Sequence, residues 1–475
     1  MPVTQKLSSS HTNNLREKIL GLDQIVPRLD GQLVPYVNLD NAASTPSFTD
    51  VMDEILQFMP FYSSVHRGSG FKSRLSTEVY ERAHEIIGRF VGANLVTNAV
   101  IFGKNATEAL NKLSYRMSLG SDDVVLTTLM EHHSNDLPWR NQAEIIHVGA
   151  TPEGRLDLED FDRKLDEFQD RVALVTVTGA SNVTGFINPV YELARKTHAV
   201  GAKILVDAAQ LAPHRKVDMK PDDDPEHLDF VVISAHKMYA PFGTGALIGP
   251  KEIFLQDGPE YPGGGTVDVV TLDEVYWAGM PDRDEAGSPN VVGALGMAAA
   301  AQVLMSVGMD KVASHEQELV IYALERLQGI PGVKLYGATD SDRVEERVGV
   351  IPFNIEGISH FLVASILGYE GGIGVRSGCF CAHPYVVHLL QLDEHESETW
   401  RQQILSGDKS NMPGMVRASF GCYNHFEDID SLVEMLNRIV RGDYQGKYEL
   451  DPSSGEYLPV DYDEPLGDYL PFSVT

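Results

Sequence analysis

Two residues at the ends of apolar runs, an aspartate and a lysine, are of types that could together bind an aldehyde cofactor. Asp207 ends one such run, and Lys237 follows another run that ends at Ser234. A lysine amine forms a Schiff base with an aldehyde, and pyridoxal phosphate also needs a carboxylate that keeps its ring nitrogen protonated. Ser234, His236 and backbone N–H groups could bind the phosphate of that cofactor. Taken separately, the lysine could be a solvated loop residue and the aspartate a turn residue, but the pair favours the chemistry.

The elements that must position these residues are predicted from the pattern of apolar residues. Continuous apolar runs predict strands of the kind that are covered on both faces, at residues 99–102, 123–127, 144–148, 172–178, 203–207 and 230–234. A helix opened by Pro189 and ended by Gly201 is predicted between the fourth and fifth runs. This alternation predicts an α/β fold with a mostly parallel sheet. Ligands bind such sheets at the carboxyl ends of the strands, where Asp207 and Lys237 should emerge together.

The composition narrows the class of protein. The chain has 475 residues, with 38 Lys plus Arg against 68 Asp plus Glu, so its formal net charge is −30. This acidity argues against nucleic-acid and anionic-membrane binding. Three cysteines are too few for a disulfide framework and favour a reducing, cytoplasmic location. The polar N-terminal run does not look like a secretory signal, and the apolar stretch 293–309 is predicted to be a buried helix rather than a membrane span.

Length and pattern predict two domains and a tail. Residues 48–300 are expected to form the large cofactor-binding domain, and residues 1–47 with 301–442 a smaller α/β domain. The polar segment 391–415 is predicted to be an inserted loop or a short exposed helix. The tail, residues 443–475, has eight acidic residues, five tyrosines and four prolines. We expect it to form no regular helix, although its tyrosines and leucines could strap it onto the surface.

Eleven short motifs follow one another in a fixed order between Tyr36 and Leu436. They are YVNLDNAAST (36–45), SVHRG (64–68), FGKNATEALN (102–111), MEHHSNDLPW (130–139), SNVTGFINP (181–189), VDAAQ (206–210), SAHKMYAPFGTG (234–245), GGGT (263–266), EAGSPN (285–290), VRSGCFCAHP (375–384) and VRASFGCYN (416–424). Their content and order resemble the class V aminotransferase family of fold-type I pyridoxal-phosphate enzymes. The resemblance is greatest to the cysteine desulfurases of the SufS type. It implies the fold of these enzymes, with a smaller domain that carries an active-site cysteine loop.

The resemblance implies roles for four residues of the large domain. Lys237 would form the Schiff base with pyridoxal 5'-phosphate and move the proton of the substrate Cα. Asp207 would pair with the pyridinium nitrogen, and Gln210 would donate to the phenolic oxygen of the cofactor. His132 would stack on the cofactor ring and act as an acid or base, with a purely structural histidine as the alternative.

Further residues would bind the cofactor phosphate. Ala106 and Thr107 match the turn at a helix N-terminus where the phosphate lies, and Ser234 and His236 would complete the binding site. Thr266, in the glycine-rich GGGT turn, matches a residue that reaches the phosphate of the neighbouring subunit, which implies a homodimer. The alternative for this segment is an ordinary turn.

A segment rich in glycine and cysteine carries the second part of the implied chemistry. Cys381 aligns with the nucleophilic cysteine of cysteine desulfurases, which convert L-cysteine to L-alanine and retain the sulfur as a persulfide. Arg376 and His132, as nearby cations, would stabilise its thiolate. Arg417 matches the clamp on the substrate carboxylate, a task suited to a guanidinium. Asn182 would contact that carboxylate or a cofactor oxygen, and Arg376 would either assist or anchor the loop.

Several alternatives stay open at this point. Cys379 and Phe380 stand where the SufS-like group often has histidines, and the Gly-Cys-Phe-Cys run is similar to the desulfurase-like domain of molybdenum cofactor sulfurases. An aminotransferase, a selenocysteine lyase or such a sulfurase are therefore alternatives to a desulfurase that passes sulfur to an acceptor protein. A binding protein without catalysis is disfavoured by the intact lysine, aspartate and histidine set. No metal site is predicted, because the Cys379–Cys381 pair lacks a second ligand pair nearby.

Overall fold

The computed structural model describes residues 13–339 and 341–472. Parts of the predicted domains and tail, at residues 1–12, 340 and 473–475, lie outside the described residues. The strands are β1 Ile25–Pro27, β2 Leu33–Pro35, β3 Val37–Asn38, β4 Asn98–Gly103, β5 Val124–Thr128, β6 Glu144–Val148, β7 Val172–Thr178, β8 Lys203–Asp207, β9 Phe230–Ser234, β10 Gly245–Pro250, β11 Val267–Val270, β12 Val275–Trp277, β13 Val333–Leu335, β14 Val350–Ile355, β15 Ile373–Gly374, β16 Arg376–Gly378, β17 Met415–Ser419, β18 Tyr448–Leu450 and β19 Tyr457–Pro459. The α-helices are α1 Asn13–Arg16, α2 Thr49–Phe58, α3 Phe71–Phe90, α4 Ala106–Arg116, α5 His133–Asp136, α6 Leu158–Phe168, α7 Val190–Ala199, α8 Lys251–Leu255, α9 Val291–Val307, α10 Met309–Gln328, α11 His360–Gly371, α12 His383–Leu390, α13 Glu394–Leu405 and α14 Phe426–Val440.

A central sheet with the strand order β4-β10-β9-β8-β7-β5-β6 organises the larger part of the molecule. Strand β5 pairs in parallel with β6 and β7, β7 with β8, and β8 with β9. Strand β10 runs antiparallel to β9 and β4. The α/β fold with a mostly parallel sheet, predicted from the apolar runs, is confirmed. In particular, Asp207 at the end of β8 pairs with Val232 of β9, so both strands end at the same edge of the sheet.

Both faces of this sheet are buried, which explains the continuous apolar runs of its strands. Successive side chains of a strand point to opposite faces. Accordingly, Val100 packs in the core formed with α2, α3 and α9, whereas Ile101 packs in the core formed with α4. Helix α9, predicted as a buried helix over 293–309, lies over Val291–Val307 and is rich in alanine, which lets it pack closely.

The limits of the six predicted strands agree with the structure to within one residue, but one strand of the central sheet, β10, was not predicted. Strand β10, GALIGP, is inserted between β4 and β9. Its flanking glycines and proline look like a turn in the sequence, yet all but its last residue are buried. The predicted helix after Pro189 lies over α7, Val190–Ala199.

A smaller antiparallel sheet follows, with the order β13-β14-β17-β16. Helices α10, α11 and α14 contribute buried leucines, isoleucines and valines to a second core against it. Some residues of this part, such as Tyr336 and Tyr385, pack instead in the core of the large sheet. The exact division into domains near residue 300 therefore stays a prediction.

The two peripheral segments agree with their predictions. Helix α13, Glu394–Leu405, lies within 391–415 and begins with a capping box, in which Asp393 and Glu396 bond each other's backbone N–H. The tail forms the hairpin β18–β19 instead of a regular helix. Glu370 of α11 accepts a hydrogen bond from Tyr448 of the tail, and Tyr462 packs on Tyr369, so tyrosines do strap the tail to the surface.

Within residues 13–339 and 341–472, no single helix is both long and apolar enough to cross a bilayer. The consecutive helices α9 and α10, bent by 79° at their junction, have the length and the apolar composition of a membrane span only when they are taken together.

Candidate active site

A cavity of about 320 Å³ lies where strands β8 and β9 end. The structure brings nearly all of the sequence-predicted site residues to its wall. They are Ala106, Thr107, His132, Asn182, Asp207, Gln210, Ser234, His236, Lys237, Arg376, Cys381 and Arg417.

The lysine and the aspartate meet at the sheet edge because each follows a parallel strand. Lys237 ends the 3-10 turn Ala235–Lys237 that comes directly after β9. Burial lowers the pKa of Lys237 to about 8, against the opposing influence of the Asp207 charge. A larger part of this lysine is therefore the neutral, nucleophilic amine at neutral pH than in an ordinary lysine.

Asp207 is a buried carboxylate on the floor of the cavity. Burial raises its pKa, whereas the N–H of Ala209, 3.0 Å from Oδ1, and the charge of Lys237 lower it. A buried carboxylate is stabilised by a cationic partner. A protonated ring nitrogen of a bound ligand would be such a partner.

Gln210 lies between the lysine and the interior. Its Oε1 accepts from Lys237 Nζ at 3.5 Å, and its Nε2 lies 3.2 Å from His214 Nε2. The amide is thus contacted on both ends, with its oxygen toward the lysine.

His132 is the N-cap residue of α5, and its ring faces the cavity. Its Nδ1 accepts from the N–H of Ser134 at 3.1 Å, so a neutral ring carries its proton on Nε2. Burial and the nearby charge of Lys237 lower the pKa of His132 to about 3. The expectation that His132 is a cation that stabilises a thiolate is therefore wrong, since the buried ring is neutral at physiological pH.

One end of the cavity is suited to an anion. Helix α4 begins there, with Asn105 as its N-cap residue accepting from the N–H of Glu108 at 2.9 Å. Thr107 Oγ1 and Ser134 Oγ lie 2.7 Å apart, and both line the cavity. Helix N-termini and hydroxyl groups are donors for phosphate.

Two further observations support this fit. The buried Ser234 Oγ has no hydrogen-bond partner among the described residues, which is costly unless a ligand supplies one. Gly245 of β10 lies against the start of α4, and a Cβ there would come within 2.5 Å of the Asn105 carbonyl carbon. Burial and Lys237 lower the pKa of His236 to about 4, so this residue faces the cavity as a neutral ring.

Thr266 is the predicted residue that is not among those lining the cavity in the described part of the chain. Its hydroxyl closes the GGGT turn on Gly263, donating to the carbonyl oxygen at 2.8 Å and accepting from the N–H at 3.1 Å. The local turn proposed as the alternative is present. The role toward a neighbouring subunit stays a prediction.

The cysteine loop enters the cavity with an unusual backbone. Phe380 and Cys381 have φ angles of 53° and 55°, in the left-handed region that side chains other than glycine disfavour. Hydrogen bonds from distant elements stabilise it: Asn182 Nδ2 donates to the Phe380 carbonyl at 2.7 Å, and the His133 N–H donates to the Cys381 carbonyl at 2.7 Å. One N–H of the Asn182 amide is thus used to fix the backbone of the cysteine loop.

The three thiols differ in their surroundings. Cys381 is exposed and lines the cavity. Cys379 is buried and donates to the Pro413 carbonyl at 2.9 Å, and burial raises its pKa to about 12. Burial also raises the pKa of Cys422 to about 12. The exposed Cys381 is therefore the cysteine suited to attack a ligand in the cavity.

The two predicted arginines share one carboxylate. Asp40 lies 2.8 Å from Arg376 Nη2 and 3.1 Å from Arg417 Nη2. Arg417 is buried, donates to the Asn182 carbonyl at 2.8 Å, and lies on the Phe380 ring with 4.8 Å to its centroid. Its Nε has no partner within the described residues, which leaves a donor for a ligand. Because the Arg376 side chain is exposed, its ion pair with Asp40 holds it in position.

Sequence reasoning missed several residues that shape this site. Ser134 and His133 lie in the MEHHSNDLPW motif, but nothing in the motif shows that one faces the cavity and the other the cysteine loop. Asp40 lies in the YVNLDNAAST motif as an acidic residue with no basic residue beside it. That was the signal in the sequence that could have pointed to a role for it.

A separate cluster of possible metal ligands lies away from the cavity, at His198, His227 and Asp229. Asp229 already accepts from the N–H of Ile204 at 2.9 Å and pairs with Lys203 at 3.2 Å. In the described part of the chain, neither cysteine of the C-x-C pair belongs to a group of three such ligands. The absence of a metal site stays a prediction.

Comparisons with known proteins agree with this geometry. The family model described as Aminotransferase class-V matches residues 37–432. The chain is 35% identical to a cysteine desulfurase of Haloferax volcanii, covering 86% of this chain and 90% of that protein. It is 35% identical to a probable cysteine desulfurase of Halalkalibacterium halodurans, covering 88% of this chain and 97% of that protein. Among solved structures, the apo cysteine desulfurase from Thermococcus onnurineus NA1 has a TM-score of 0.74 at 31% identity, covering 86% of this chain and 95% of that one.

Proposed function

The chain belongs to the class V aminotransferase family and is a pyridoxal-phosphate enzyme of the cysteine desulfurase type, and we propose that its cavity converts L-cysteine to L-alanine while Cys381 takes up the sulfur. The observation that carries this assignment of residues is their convergence. An exposed thiol, a buried lysine of lowered pKa and a buried guanidinium line one cavity.

The cavity wall fits pyridoxal phosphate. Thr107, Ser134, the start of α4 and the Ser234 hydroxyl, which has no hydrogen-bond partner in the part of the chain that the structure describes, would hold the phosphate. Asp207 would pair with the ring nitrogen. Gln210 would donate to the phenolic oxygen, and His132 would contact the ring. Ala106 and His236 contribute to the wall at the phosphate end. When bound, the cofactor supplies an aldehyde for the substrate amine and a ring that withdraws electrons from the substrate Cα.

Lys237 would hold and move the proton of the substrate Cα. A base for this step must be neutral near physiological pH and lie at the reacting carbon. Burial gives Lys237 a pKa near that range. His132, with its proton on Nε2, would donate a hydrogen bond to the bound ligands and not act as a cation.

Cys381 would carry out the sulfur transfer. Its thiolate forms an S–S bond with the substrate sulfur as the Cβ–S bond of the substrate breaks, which leaves a persulfide on the enzyme. The electron pair of the broken bond would stay with the carbon skeleton, and protonation at Cβ together with return of the proton that Lys237 took from Cα would give alanine. The loop hydrogen bonds from Asn182 and His133 support this role because they fix the backbone on which the thiol stands.

Arg417 would bind the substrate carboxylate. It is buried at the cavity and has an unpartnered Nε within the described residues, while Asp40 orients its other end. A guanidinium fixed in this way recognises a carboxylate with directional hydrogen bonds. Arg376 would assist from the exposed rim.

The proposal extends to the assembly and its partners. We expect a homodimer in which Thr266 contributes to the neighbouring site, a sulfur-acceptor protein that takes the persulfide sulfur, and a cytoplasmic location. The exposed apolar residues Val269, Val270 and Leu272 on the β11–β12 hairpin next to Thr266 support a subunit contact there. The unpaired cysteines support a reducing compartment.

A product assay tests the proposed reaction. Purified protein, loaded with pyridoxal phosphate and given L-cysteine and dithiothreitol, is expected to form one alanine for each sulfide released. If an added 2-oxo acid restores turnover and alanine never forms, the protein is a transaminase and the proposal is contradicted. A rate on selenocysteine that greatly exceeds the rate on cysteine would assign the protein to selenocysteine lyases instead.

A further inference from the structure

The turn that carries Lys237 is bound by a segment from the N-terminal part of the chain. The carbonyl oxygen of His236, in the peptide group directly before Lys237, accepts from the Thr45 N–H at 2.9 Å. The same oxygen accepts from the hydroxyl groups of Thr45 and Ser44, at 3.2 Å each. The Thr45 hydroxyl in turn accepts from the N–H of Tyr239 at 2.8 Å. One hydroxyl therefore spans Lys237, with a hydrogen bond to the backbone on either side of it.

Tyr239, two residues after the lysine, has a backbone conformation that needs support. Its φ angle is 64°, in the left-handed region that a bulky side chain disfavours. Such a conformation costs free energy and persists only where the surrounding contacts hold it. The Phe48 N–H donates to the Tyr239 carbonyl at 3.2 Å, and the Cys422 N–H donates to the Tyr239 hydroxyl at 2.8 Å. The Phe48 ring also stacks on the Tyr239 ring, with 4.4 Å between the centroids.

The hydrogen bonds of the Thr45 hydroxyl are shielded from water. Thr45 is 4% exposed, and Tyr239 is fully buried. Without the hydroxyl, the Tyr239 N–H would lose its acceptor in a place that bulk water does not reach, and a buried N–H without a partner is costly. Because the φ angle of Tyr239 is also unfavourable, we expect the turn to relax to a different backbone arrangement once that bond is gone.

The same N-terminal segment extends to the other end of the cavity. Ala42 and Ala43 line the cavity wall, and Asp40 pairs with Arg417 at 3.1 Å. Thr45, five residues after Asp40, binds the lysine turn. One short stretch of chain thus contacts both the guanidinium and the turn that carries the amine, and it holds the two in a fixed relation.

We propose that Thr45 and Tyr239 are positioning residues that hold the backbone on both sides of Lys237, so that its amine points in one fixed direction into the cavity. This inference rests on the proposed function, since it assumes that the amine reacts with pyridoxal phosphate and then moves the proton of the substrate Cα. The end of strand β9 brings the lysine to the cavity, and the bonds of Thr45 fix the direction in which its side chain leaves the turn. Both steps depend steeply on alignment, so a small shift of this backbone should slow both of them.

A purely stabilising role is the alternative, and the chain contains a matched control. The Thr77 hydroxyl on helix α3 makes the same two kinds of bond, accepting from the His66 N–H at 2.8 Å and donating to the Ser73 carbonyl at 3.0 Å. None of these three residues is among those that line the cavity in the described part of the chain. Thr77→Val should therefore lower the melting temperature without changing the chemistry of Lys237.

The test compares Thr45→Val, Thr45→Ser and Thr77→Val with the wild type. Two rates are measured: the rate at which ligand-free protein acquires the visible band with pyridoxal phosphate, and kcat for the formation of alanine from L-cysteine. Thr45→Val keeps the shape of the side chain and removes the hydroxyl. It should lower both rates about 10-fold, the effect of one to two hydrogen bonds. KM should change less than about twofold, because the groups that would bind the substrate carboxylate are unaltered.

Two further variants sharpen the result. Thr45→Ser retains the hydroxyl and is expected to restore both rates to within about twofold of the wild type. If Thr45→Val does not fold, Tyr239→Phe provides the second test. It keeps the ring that stacks on Phe48 and removes only the acceptor of the Cys422 N–H, so both rates should fall about fivefold.

Two outcomes would overturn the positioning role. Folded Thr45→Val with both rates equal to those of the wild type would show that the hydroxyl does not direct the amine. Rates of Thr77→Val that fall as far as those of Thr45→Val would reduce the effect to general destabilisation.

Failure of the proposed function gives a different pattern. A wild-type protein that forms no visible band with pyridoxal phosphate would contradict the proposed function, and the positioning role with it. A wild-type protein that forms the band but no alanine would contradict the proposed reaction alone. The rate of band formation in Thr45→Val would then still decide the positioning role.

Discussion

The sheet edge that carries Asp207 and Lys237 and the loop that carries Cys381 contribute to the same cavity but are built in different ways. The edge follows from two adjacent parallel strands, whose carboxyl ends must coincide. The loop has two consecutive residues in the left-handed region and relies on hydrogen bonds from Asn182 and His133, which lie far away in the sequence. In the proposed reaction, cofactor chemistry would thus rest on a regular element, and sulfur chemistry on a strained one that other elements hold in place.

Removal of the lysine should separate the two regions most clearly. Lys237→Ala is expected to lower the rate of alanine formation on the order of 10⁴-fold or more, because it removes both the amine proposed to bind the cofactor and the proposed base. It should also abolish covalent attachment of the cofactor, checked by borohydride reduction and mass spectrometry of the peptide that contains residue 237. Lys164→Ala, which changes a lysine paired with Asp160 outside the cavity lining in the described residues, is the control and should retain both. An adduct on another lysine would contradict the assignment.

Removal of the thiol should affect one region alone. Cys381→Ser is expected to lower sulfide release on the order of 10³-fold while the cofactor band stays intact, because the loop holds the proposed nucleophile but not the proposed cofactor lysine. Sulfide and the absorption spectrum are measured on the same sample. The matched variant Cys379→Ala should keep the rate and lose about 1 kcal/mol of stability through its buried Cys379–Pro413 contact. If Cys379→Ala abolished sulfide release and Cys381→Ser did not, the assignment of the nucleophile would be wrong.

The pH dependence of cofactor uptake tests the sheet edge by itself. Burial lowers the pKa of Lys237 to about 8, so the neutral amine predominates above that pH and falls about tenfold per unit well below it. The rate at which ligand-free protein acquires the visible band should therefore rise up to about pH 8 and level off about one unit above it. A rate that still rises tenfold per unit between about pH 9 and 10 would indicate a lysine with an ordinary pKa.

The hydrogen bond on the loop should have the smallest effect. Asn182→Ala removes the donor to the Phe380 carbonyl and is expected to lower sulfide release about fivefold, the effect of about one hydrogen bond, because Cys381 becomes less well positioned. Asn188→Ala removes a similar bond, to the Thr178 carbonyl, and Asn188 itself is not among the residues that line the cavity in the described part of the chain. If both variants lose activity equally, the loss reflects stability and the loop needs no such support.

The two regions also differ in how far the sequence revealed them. Asp207 and Lys237 were predicted to share an edge because the apolar runs before them are local signals, and the structure confirms the strands to which they belong. For the loop, the resemblance named Cys381, Asn182 and Arg417 but gave no geometry. The position of Asp40 between the two arginines and the hydrogen bond from His133 to the Cys381 carbonyl were not recognised, because contacts across hundreds of residues leave no pattern in the local sequence.

Protonation was a further matter that residue types could not decide. His132 was expected to be a cation, yet its buried position next to Lys237 and the N–H of Ser134 make it a neutral ring. Strand β10 was missed as well, because its place in the sheet is not visible in the sequence. Its glycines and proline look like a turn, and only its place between β4 and β9 shows that Gly245 is needed where the start of α4 approaches.

The amino-acid sequence by itself determined the α/β class, six strands of the central sheet and the types of the reactive groups, because hydrophobic periodicity and short motifs are local properties of the chain. Only the tertiary structure decided which thiol is exposed, which histidine is neutral, which carboxylate orients the arginines and how Thr45 reaches the turn that carries Lys237. Those properties depend on burial and on distances between side chains that are far apart in the sequence. Burial and distance arise when the elements pack.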